Sequence, residues 1–424
     1  MTTKRKSLQV YWDGDEQPVG EVIQDSAETV FRYHPKCQRI SHSLPVETGS
    51  RSHPVTFFEN LLPDGVQRER LARRLGVSST STFAMLEAIG GDCAGALSLH
   101  PGERPAPQPG AGSNESTLPL TQALLQKMLT IGVVPTSISE GLRLSLAGAQ
   151  DKLAVVVDDE RRALSMPSGS QSSTHILKLP NRDFRAICHN EHFMLELAQE
   201  IGLPTAKSRL WPLEVDGETV QGLLIERFDR HGGRRLHQED VLQALGRPSS
   251  RKYEVDGGPS LTDVVLLLDD ASTQPGDVLR LVRWQAFNIA VGNNDGHAKN
   301  IARLREPRVC FAPAYDLVCT RAWPQLDKRL AFAIAGERDA GNVGPRAWSG
   351  FADAAHLSRK AVLAAVREVS TAVYDRAPAV AGRLIAQGAE ARAVRNALEH
   401  VSDHAARALR LQDIELATPR RPRR

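Results

Sequence analysis

Asn294–Asn300 (Asn-Asp-Gly-His-Ala-Lys-Asn) is the stretch of sequence that decides how this chain is interpreted. It comes directly after a segment with helical periodicity that ends at Gly292, a typical helix terminator. The apolar face of that segment carries Leu281, Trp284, Phe287 and Val291. Asp295 and Asn300 follow with the Asp-x-x-x-x-Asn spacing of a phosphotransfer loop, in which a carboxylate accepts the proton of the attacking hydroxyl and an amide oxygen holds Mg²⁺. The pattern therefore predicts Asp295 as a catalytic base and Asn300 as a metal ligand.

A second acid follows this loop. Ile301–Leu304 and Val309–Ala312 predict a hairpin, after which Asp316 takes the place of the main Mg²⁺ ligand in phosphotransfer enzymes, with Leu-Val where Phe-Gly is usual. The residues around these acids are candidate nucleotide contacts, namely His297, Lys299 and Tyr315. An alternative is that His297, Asp295 and Asp316 ligate a transition metal, although a single histidine beside a turn is more often a hydrogen-bonding group of the loop.

The segment before the loop predicts a phosphate-binding hairpin. Leu142–Leu146 and Leu153–Val157 have the character of strands, and small residues form the bend between them. Such a bend lets backbone N–H groups approach an oligophosphate, and a lysine adds a counter-charge. The bend comprises Ala147, Gly148, Ala149, Gln150, Asp151 and Lys152. Taken alone, it also fits an ordinary tight hairpin.

A lysine inside a strand provides the next signal. Lys178 lies in the strand-like run Thr174–Pro180, where a lysine requires an anionic partner unless it faces water at a sheet edge. A helix is then expected to begin near Asn190 as its N-cap and to continue through Ile201 to Gly202. Glu191 or Glu196 on this helix can supply a carboxylate for Lys178, and the sequence does not decide which of them does so, if either.

The order of these elements is stronger evidence for phosphotransfer than any one of them alone. Leu223–Phe228 is a buried strand ending in charge, at the place where a two-lobed kinase has the hinge that binds adenine. The chain thus carries a phosphate hairpin, a strand lysine, a helix with glutamates, a hinge strand, an Asp-x-x-x-x-Asn loop and a second aspartate, in that order. The sequence therefore favours phosphotransfer with ATP and Mg²⁺.

Composition limits the remaining possibilities. The 424 residues are 41% hydrophobic and 24% charged, with five scattered cysteines and no Cys-x-x-Cys pair. This composition is typical of a soluble globular protein without a disulfide framework, and no apolar run approaches the length of a membrane span, so we expect a cytoplasmic protein that does not bind membranes. The net charge of +3 is too small to indicate nucleic-acid binding, although the basic excess lies at the C-terminal end.

The chain is expected to divide into three parts. Pro101–Pro119 is rich in proline and glycine and predicts a linker. Before it, alternating residues predict a hairpin of Leu8–Trp12 with Val19–Ile23, and Val66–Leu75 predicts a helix ending at Gly76. Beyond residue 355 the pattern is helical. We therefore predict an α+β fold with an N-terminal β-rich subdomain (residues 1–118), a two-lobed protein-kinase-like core (119–330) and a mainly helical C-terminal region (331–424).

Several motifs resemble the signature stretches of the HipA-like kinases, which are toxins of bacterial toxin-antitoxin systems. The matching stretches are Phe57–Asp64, Ser145–Lys152, Thr174–Pro180, Glu226–Arg230, Gln238–Asp240, Pro248–Ser250, Lys252–Glu254 and Asp295–Asn300. They occur in the family's order from about residue 8 to at least residue 320. The pattern departs from the family in having Asp151 rather than glutamate before Lys152.

The resemblance implies a serine/threonine kinase and a role for each motif. Asp295 would accept the proton, Asn300 and Asp316 would bind Mg²⁺, Lys178 would contact phosphate, and the bend up to Lys152 would cover the phosphates. The hinge stretch of Glu226, Arg227 and Phe228 would hold the adenine, mainly through its first and third residues. Ser145 matches the autophosphorylated serine of the family, and a phosphate there would repel the phosphates of ATP and switch the kinase off.

The resemblance also implies partners. The family pairs with a small helix-turn-helix antitoxin (HipB-like) that binds operator DNA, so DNA would be contacted indirectly, and its best known targets are aminoacyl-tRNA synthetases. One alternative is an inactive nucleotide-binding module that acts as a corepressor on DNA with the antitoxin. Another is a small-molecule phosphotransferase, which the sequence distinguishes poorly.

Overall fold

A computed structural model describes most of the chain. The described residues are 5–25, 28–46, 52–102, 118–121, 123–125, 152–167, 171–180, 184, 186–215, 217–269, 274, 276–305 and 307–417. Two compact units are formed, one by residues 1–181, 211–249 and 304–306 and the other by residues 182–210, 250–303 and 307–424. Our three-part division at residues 118 and 330 stays a prediction, and most of the predicted linker lies outside the described residues.

The first unit begins with a five-stranded antiparallel sheet of strand order β4-β3-β2-β1-β5. Its strands are β1 (Lys6–Trp12), β2 (Gly20–Gln24), β3 (Thr29–Tyr33), β4 (Ser52–Pro54) and β5 (Leu97–His100). Val10 of β1 pairs with Gly20 of β2, so the predicted hairpin is confirmed. Alternating side chains of β1, including Leu8 and Val10, are fully buried, as the period of two requires.

Three helices pack near this sheet: α1 (Thr56–Glu59), α2 (Gly65–Leu75) and α3 (Thr82–Ile89). Gly76 ends α2 with a φ of 67°, in the left-handed region that glycine tolerates best, which confirms the predicted helix and its terminator. Phe57 and Phe58 are buried in the core, and the Asn60 side chain donates to the carbonyl oxygens of Thr56 and Arg247. The stretch that begins Phe57-Phe58 is therefore a packing and anchoring element of this unit.

The second sheet of the first unit has six strands in the order β10-β11-β9-β7-β8-β6. The strands are β6 (Leu118–Pro119), β7 (Lys152–Asp158), β8 (Ala163–Met166), β9 (His175–Lys178), β10 (Ser208–Val215) and β11 (Glu218–Glu226). The predicted strands at 153–157 and 174–180 are confirmed with small shifts at their ends. The predicted strand at 223–228 is confirmed only in part, because β11 begins five residues earlier, at Glu218, and ends at Glu226. This unit also contains β12 (Arg230–His231), β13 (Arg234–Arg235), β14 (His237–Asp240) and α5 (Val241–Leu245).

The second unit is mainly helical. It contains α4 (Ile187–Glu200), α6 (Leu261–Leu268), α7 (Asp277–Val291), α8 (Pro345–Ala354), α9 (Arg359–Ala386) and α10 (Ala391–Ala417). Short strands follow α7 in the chain: β15 (Ala302–Arg305), whose last two residues belong to the first unit, and β16 (Val309–Phe311), β17 (Arg329–Ile334) and β18 (Glu337–Asp339). The predicted hairpin after the Asp-x-x-x-x-Asn loop and the helical character beyond residue 355 are confirmed. None of the helices in the described residues is long and apolar enough to cross a membrane.

The predicted start of α4 is wrong. The helix begins at Ile187 with Ala186 as its N-cap, and Asn190 lies within it. The Asn190 side chain instead bonds the backbone of Cys319, with Nδ2 donating to the carbonyl oxygen at 3.1 Å and Oδ1 accepting from the N–H at 2.8 Å. The side-chain amide of Asn190, which the sequence predicted to cap the helix, therefore makes a tertiary contact instead.

Candidate active site

The Asp295 loop is supported by the end of α7. Gly292 ends this helix with a φ of 71°, and Asn293 then donates through Nδ2 to Oδ1 of Asn288 at 2.8 Å. Oδ1 of Asn293 in turn accepts the backbone N–H of Asp295 at 3.1 Å. A Cβ added at Gly296 would lie 3.0 Å from Nδ2 of Asn288, so the loop backbone rests closely on the helix. A buried amide pair therefore fixes where the aspartate leaves the helix.

Asp295 is an accessible carboxylate in a crowded environment. Its side chain reaches solvent, although many protein atoms surround it. This desolvation raises the pKa of Asp295 above its usual value, Asp316 raises it further, and a hydrogen bond from Tyr253 together with the charge of Lys252 offsets only part of the increase. Oδ1 of Asp295 accepts the hydroxyl of Tyr253 at 2.6 Å. An accessible acid with a raised pKa is a typical proton acceptor.

Asn300 and Asp316 lie together. Nδ2 of Asn300 donates to Oδ2 of Asp316 at 3.0 Å, and Oδ1 of Asn300 accepts the backbone N–H of His297 at 3.0 Å. Asp316 has a φ of 58°, a left-handed conformation that is uncommon outside glycine and often found at functional sites. The structure therefore brings the two predicted metal ligands into direct contact.

This pair fits Mg²⁺ chemically. A carboxylate and an amide oxygen are hard donors, and Mg²⁺ is usually held by one or two carboxylates together with substrate phosphates and water. Among the described residues, no group of three or more His, Cys, Asp and Glu side chains could hold a metal ion. A Mg²⁺ ion bound in this way requires no such group.

The three flanking candidates have internal partners. The hydroxyl of Tyr315 donates to the carbonyl oxygen of Lys299 at 2.7 Å, and Lys299 is buried. His297 is also buried, which lowers its pKa to about 3 with help from the charge of Lys252. The imidazole is therefore neutral at physiological pH, and its ring packs edge-on against Tyr253 with the ring centres 5.2 Å apart. These residues shape the loop, and their contact with nucleotide stays a prediction.

The first unit presents two lysines on one strand pair. Lys178 is buried on β9, and Lys152 on β7 is its partner in the antiparallel register. Directly opposed residues place their side chains on the same face, where like charges repel unless an anion lies between or beside them. Two opposed lysines therefore suit an oligophosphate. In the second unit, Glu196 forms an ion pair with Arg383 at 3.8 Å and Glu191 is fully buried, and a partnership of either glutamate with Lys178 stays a prediction.

The predicted hinge residues differ from one another. Glu226 is exposed at the end of β11 and Phe228 is half-buried, whereas Arg227 is buried. The Arg227 guanidinium donates twice to Asp229, at 2.9 and 2.8 Å, and also to Ser173 and to the carbonyl oxygen of Cys93. These contacts occupy the guanidinium in the protein interior, so we assign it a structural role and leave the predicted adenine contact to its neighbours.

Arg227 belongs to a set of charged side chains that we call the buried ion network: Asp92, Arg227, Asp229, Arg230 and Arg235. Arg230 contacts Asp92 at 2.8 Å and Asp229 at 2.9 Å, and Arg235 contacts Asp92 at 3.2 Å. Asp229 also accepts the backbone N–H of Gly95 at 2.7 Å. The network thereby ties the segment before β5 to the strands that follow β11 within the first unit.

Three of our site predictions lie outside the described residues. They are the strand Leu142–Leu146, the phosphate-binding bend of Ala147 to Asp151 and the autophosphorylation site Ser145. Conversely, sequence reasoning missed the roles of Lys252 and Tyr253 beside Asp295. The only sequence signal for them was the Lys252–Glu254 stretch, which matched a family motif without an assigned function.

The fold is of the kinase-like class, with mixed sheets and helices in the first unit and helices dominating the second. A model of the HipA N-terminal domain matches residues 8–100, and a model of the HipA-like C-terminal domain matches residues 144–377. The chain belongs to the HipA-like family.

Known relatives extend this result. A protein of Sinorhizobium fredii described as putative kinase Y4mE is 36% identical over 394 residues, covering 88% of this chain and 91% of that protein. The serine/threonine-protein kinase toxin HipA of Shewanella oneidensis is 29% identical over 380 residues, covering 83% and 84%. A solved Shewanella oneidensis complex of HipA, HipB and operator DNA contains a chain that matches with a TM-score of 0.78 and 26% identity, covering 96% of this chain and 98% of that chain.

Proposed function

We propose that the chain is an ATP-dependent serine/threonine protein kinase and the toxin of a toxin-antitoxin system. One observation carries the proposal: the accessible carboxylate of Asp295, with its raised pKa, lies on the same loop as Asn300, which is hydrogen-bonded to Asp316. A base beside a pair of hard oxygen donors is what transfer of a phosphoryl group to a hydroxyl requires.

Asp295 acts on the nucleophile. A serine or threonine hydroxyl of the protein substrate attacks the γ-phosphorus, and its proton passes to the carboxylate of Asp295. The new O–P bond forms as the bond from the γ-phosphorus to the bridging oxygen breaks, and the electron pair of that bond leaves with ADP. The phosphorylated hydroxyl and ADP are the products, and Asp295 returns its proton to solvent.

The other residues hold the nucleotide. Asn300 and Asp316 would bind Mg²⁺, which neutralises charge on the phosphates when it is present. We propose that Lys178 and Lys152 contact the phosphates, which fits their opposed positions on β9 and β7. Glu226 and Phe228 are proposed to receive the adenine, and the bend of Ala147 to Asp151 to cover the phosphates.

The relatives support proposals about partners. One matching chain comes from a complex with HipB and operator DNA, which supports a HipB-like helix-turn-helix antitoxin and indirect contact with DNA for this chain. The similarity to a serine/threonine-protein kinase toxin supports a protein substrate, for which we propose an aminoacyl-tRNA synthetase. We place these activities in the cytoplasm, where ATP and such substrates are found.

The test is incubation of the purified full chain with ATP and Mg²⁺, followed by mass spectrometry of the intact chain. We expect one added phosphate, located at Ser145 by peptide mapping. Ser145→Ala should abolish that phosphate but leave transfer to an added protein substrate intact, and chelation of Mg²⁺ should abolish both. If the chain binds ATP tightly but labels neither Ser145 nor any substrate, the inactive corepressor replaces the kinase as the function.

A further inference from the structure

Tyr253 is held beside the Asp295 loop by the residues on either side of it. The carbonyl oxygen of Lys252 accepts the N–H of Ala298 at 3.2 Å, within the Asp295 loop itself. The carboxylate of Glu254 accepts the N–H of Ala333, near the end of β17, at 2.7 Å. Tyr253 therefore lies between two anchored residues, although it is 42 positions before Asp295 in the chain.

The turn after Tyr253 fixes its backbone. The carbonyl oxygen of Tyr253 accepts the N–H groups of Asp256 at 3.1 Å and of Gly258 at 3.0 Å. A Cβ at Gly258 would lie 2.2 Å from the carbonyl oxygen of Arg251 and 2.6 Å from that of Tyr253, so only glycine fits there. With its backbone bound by this turn and its ring packed against His297, the tyrosine has little freedom to move away from Asp295.

The phenol can only donate to Asp295. Burial and the neighbouring carboxylate raise the pKa of Tyr253 well above its usual value, so the hydroxyl keeps its proton. That proton points to Oδ1 of Asp295 at 2.6 Å, the distance of a strong, charge-assisted hydrogen bond. Within the described part of the chain, Tyr253 is the residue that donates a hydrogen bond to this carboxylate, which leaves Oδ2 for another proton.

We propose that Tyr253 is a positioning residue that holds Oδ1 of Asp295 so that Oδ2 faces the substrate hydroxyl. The inference rests on the proposed kinase function and adds to it a residue that the catalytic motif does not contain. A carboxylate bound at one oxygen has its second oxygen in a defined direction, and a well-oriented base needs no rearrangement when the hydroxyl arrives.

The experiment compares Tyr253→Phe with the unaltered full chain in ATP-dependent phosphorylation of Ser145 and of an added protein substrate. Phenylalanine keeps the ring that packs on His297 and removes only the donor. We expect kcat to fall about 10- to 100-fold while the KM for ATP stays within about twofold, because orientation of the base and not nucleotide binding is lost. Tyr374→Phe is the matched control, since Tyr374 is 48% exposed on α9, and it should behave as the unaltered chain.

A double-mutant cycle separates positioning from general structural support. In an Asp295→Asn background, Tyr253→Phe should change the residual rate by less than about twofold, because the base it positions is gone. A tyrosine that only stabilises the loop would cost the same factor in both backgrounds and would raise the KM for ATP. All variants are assayed at a temperature at which circular dichroism shows them folded.

The outcomes also distinguish failure of the positioning role of Tyr253 from failure of the proposed kinase function on which it rests. If the unaltered chain phosphorylates Ser145 and Asp295→Asn does not, while Tyr253→Phe keeps the full kcat, the positioning role alone is overturned. If equal losses appear in both backgrounds, the same conclusion holds. If the unaltered chain transfers no phosphate under any condition, both the kinase function and the positioning role are overturned.

Discussion

Two acidic regions of the molecule, one in each unit, shift the pKa of their carboxyl groups in opposite directions. In the buried ion network of the first unit, burial opposes ionisation of Asp92 and Asp229, but the surrounding arginines together lower the pKa of both carboxyls. In the second unit, desolvation and Asp316 raise the pKa of Asp295, and one tyrosine and one lysine do not compensate. The first region stabilises the ionised form of its carboxylates. The second destabilises the ionised form of Asp295 relative to a carboxylate in water.

The difference separates structural acids from a chemical one. Asp229 receives hydrogen bonds from Arg227, Gly95 and Gln238 and has no need of a ligand. Asp295 stays accessible and is bound by a neutral donor at one oxygen. A carboxylate that gains a proton easily near a pair of predicted metal ligands is suited to catalysis, whereas one whose charge is neutralised by arginines is suited to holding the protein interior together.

Replacement of Asp295 should give the largest effect. Asp295→Asn keeps the shape of the side chain and removes the base, so we expect the rate of phosphoryl transfer to fall about 10³- to 10⁴-fold. The melting temperature should not fall, because an acid with a raised pKa contributes no stability through its charge at neutral pH. Initial rates with labelled ATP and a thermal melt measure the two quantities. Undiminished transfer would remove Asp295 from the mechanism.

Replacement of Asp229 should show the reverse pattern. Asp229→Asn leaves Arg227 and Arg230 buried with an uncompensated charge, which typically costs about 3 to 5 kcal/mol in the free energy of unfolding. Chemical denaturation measures that loss. The control is Asp353→Asn, whose ion pair with Arg359 is exposed and should matter little.

The pH dependence of this loss follows from its sign. Because the folded state lowers the pKa of Asp229, its stabilising contribution is fully present above the ordinary aspartate value of 3.8 and is lost as the pH falls through the folded-state pKa. The unaltered chain and Asp229→Asn should therefore approach each other in stability only in strong acid. A constant difference across that range would mean that packing and not charge accounts for the loss.

The sequence predicted elements that local patterns determine. Gly76 and Gly292 end helices where predicted because a left-handed residue is needed there, and alternation located the hairpin of β1 and β2. Asn190 was misassigned because a capping residue and a tertiary amide contact look the same in sequence. The residue type shows which interactions a side chain can make, but partners distant in the sequence determine which of these interactions it makes in the fold.

The same limit applied to the candidate site. The spacing of Asp295 and Asn300 was visible, and Asp316 followed from the order of elements, but their grouping with Tyr253 depends on a turn that only the fold brings near. Arg227 directly follows β11, and nothing local shows that its guanidinium meets Asp92. The arginine was therefore counted with the nucleotide contacts when its charge serves the interior.

Lys252 provides the smallest and most specific test of the contrast between the two regions. Its ammonium lies 5.3 Å from the ring centre of Tyr253, and its charge lowers the pKa of Asp295 against the effect of desolvation. Lys252→Met removes the charge at similar length, so the pKa of Asp295 should rise further. Since the ionised carboxylate is the proposed active form, the acidic limb of the pH profile of kcat/KM should move to higher pH, with a loss of about 2- to 5-fold near neutrality.

Lys360→Met is the control, because Lys360 is exposed at the start of α9 and should leave the profile unchanged. Higher salt should reduce the difference between Lys252→Met and the unaltered chain, since a partly exposed charge is screened. An acidic limb that stays in place would show that Asp295 is not the group that titrates in the free enzyme. The raised pKa of Asp295 would then have no part in the reaction.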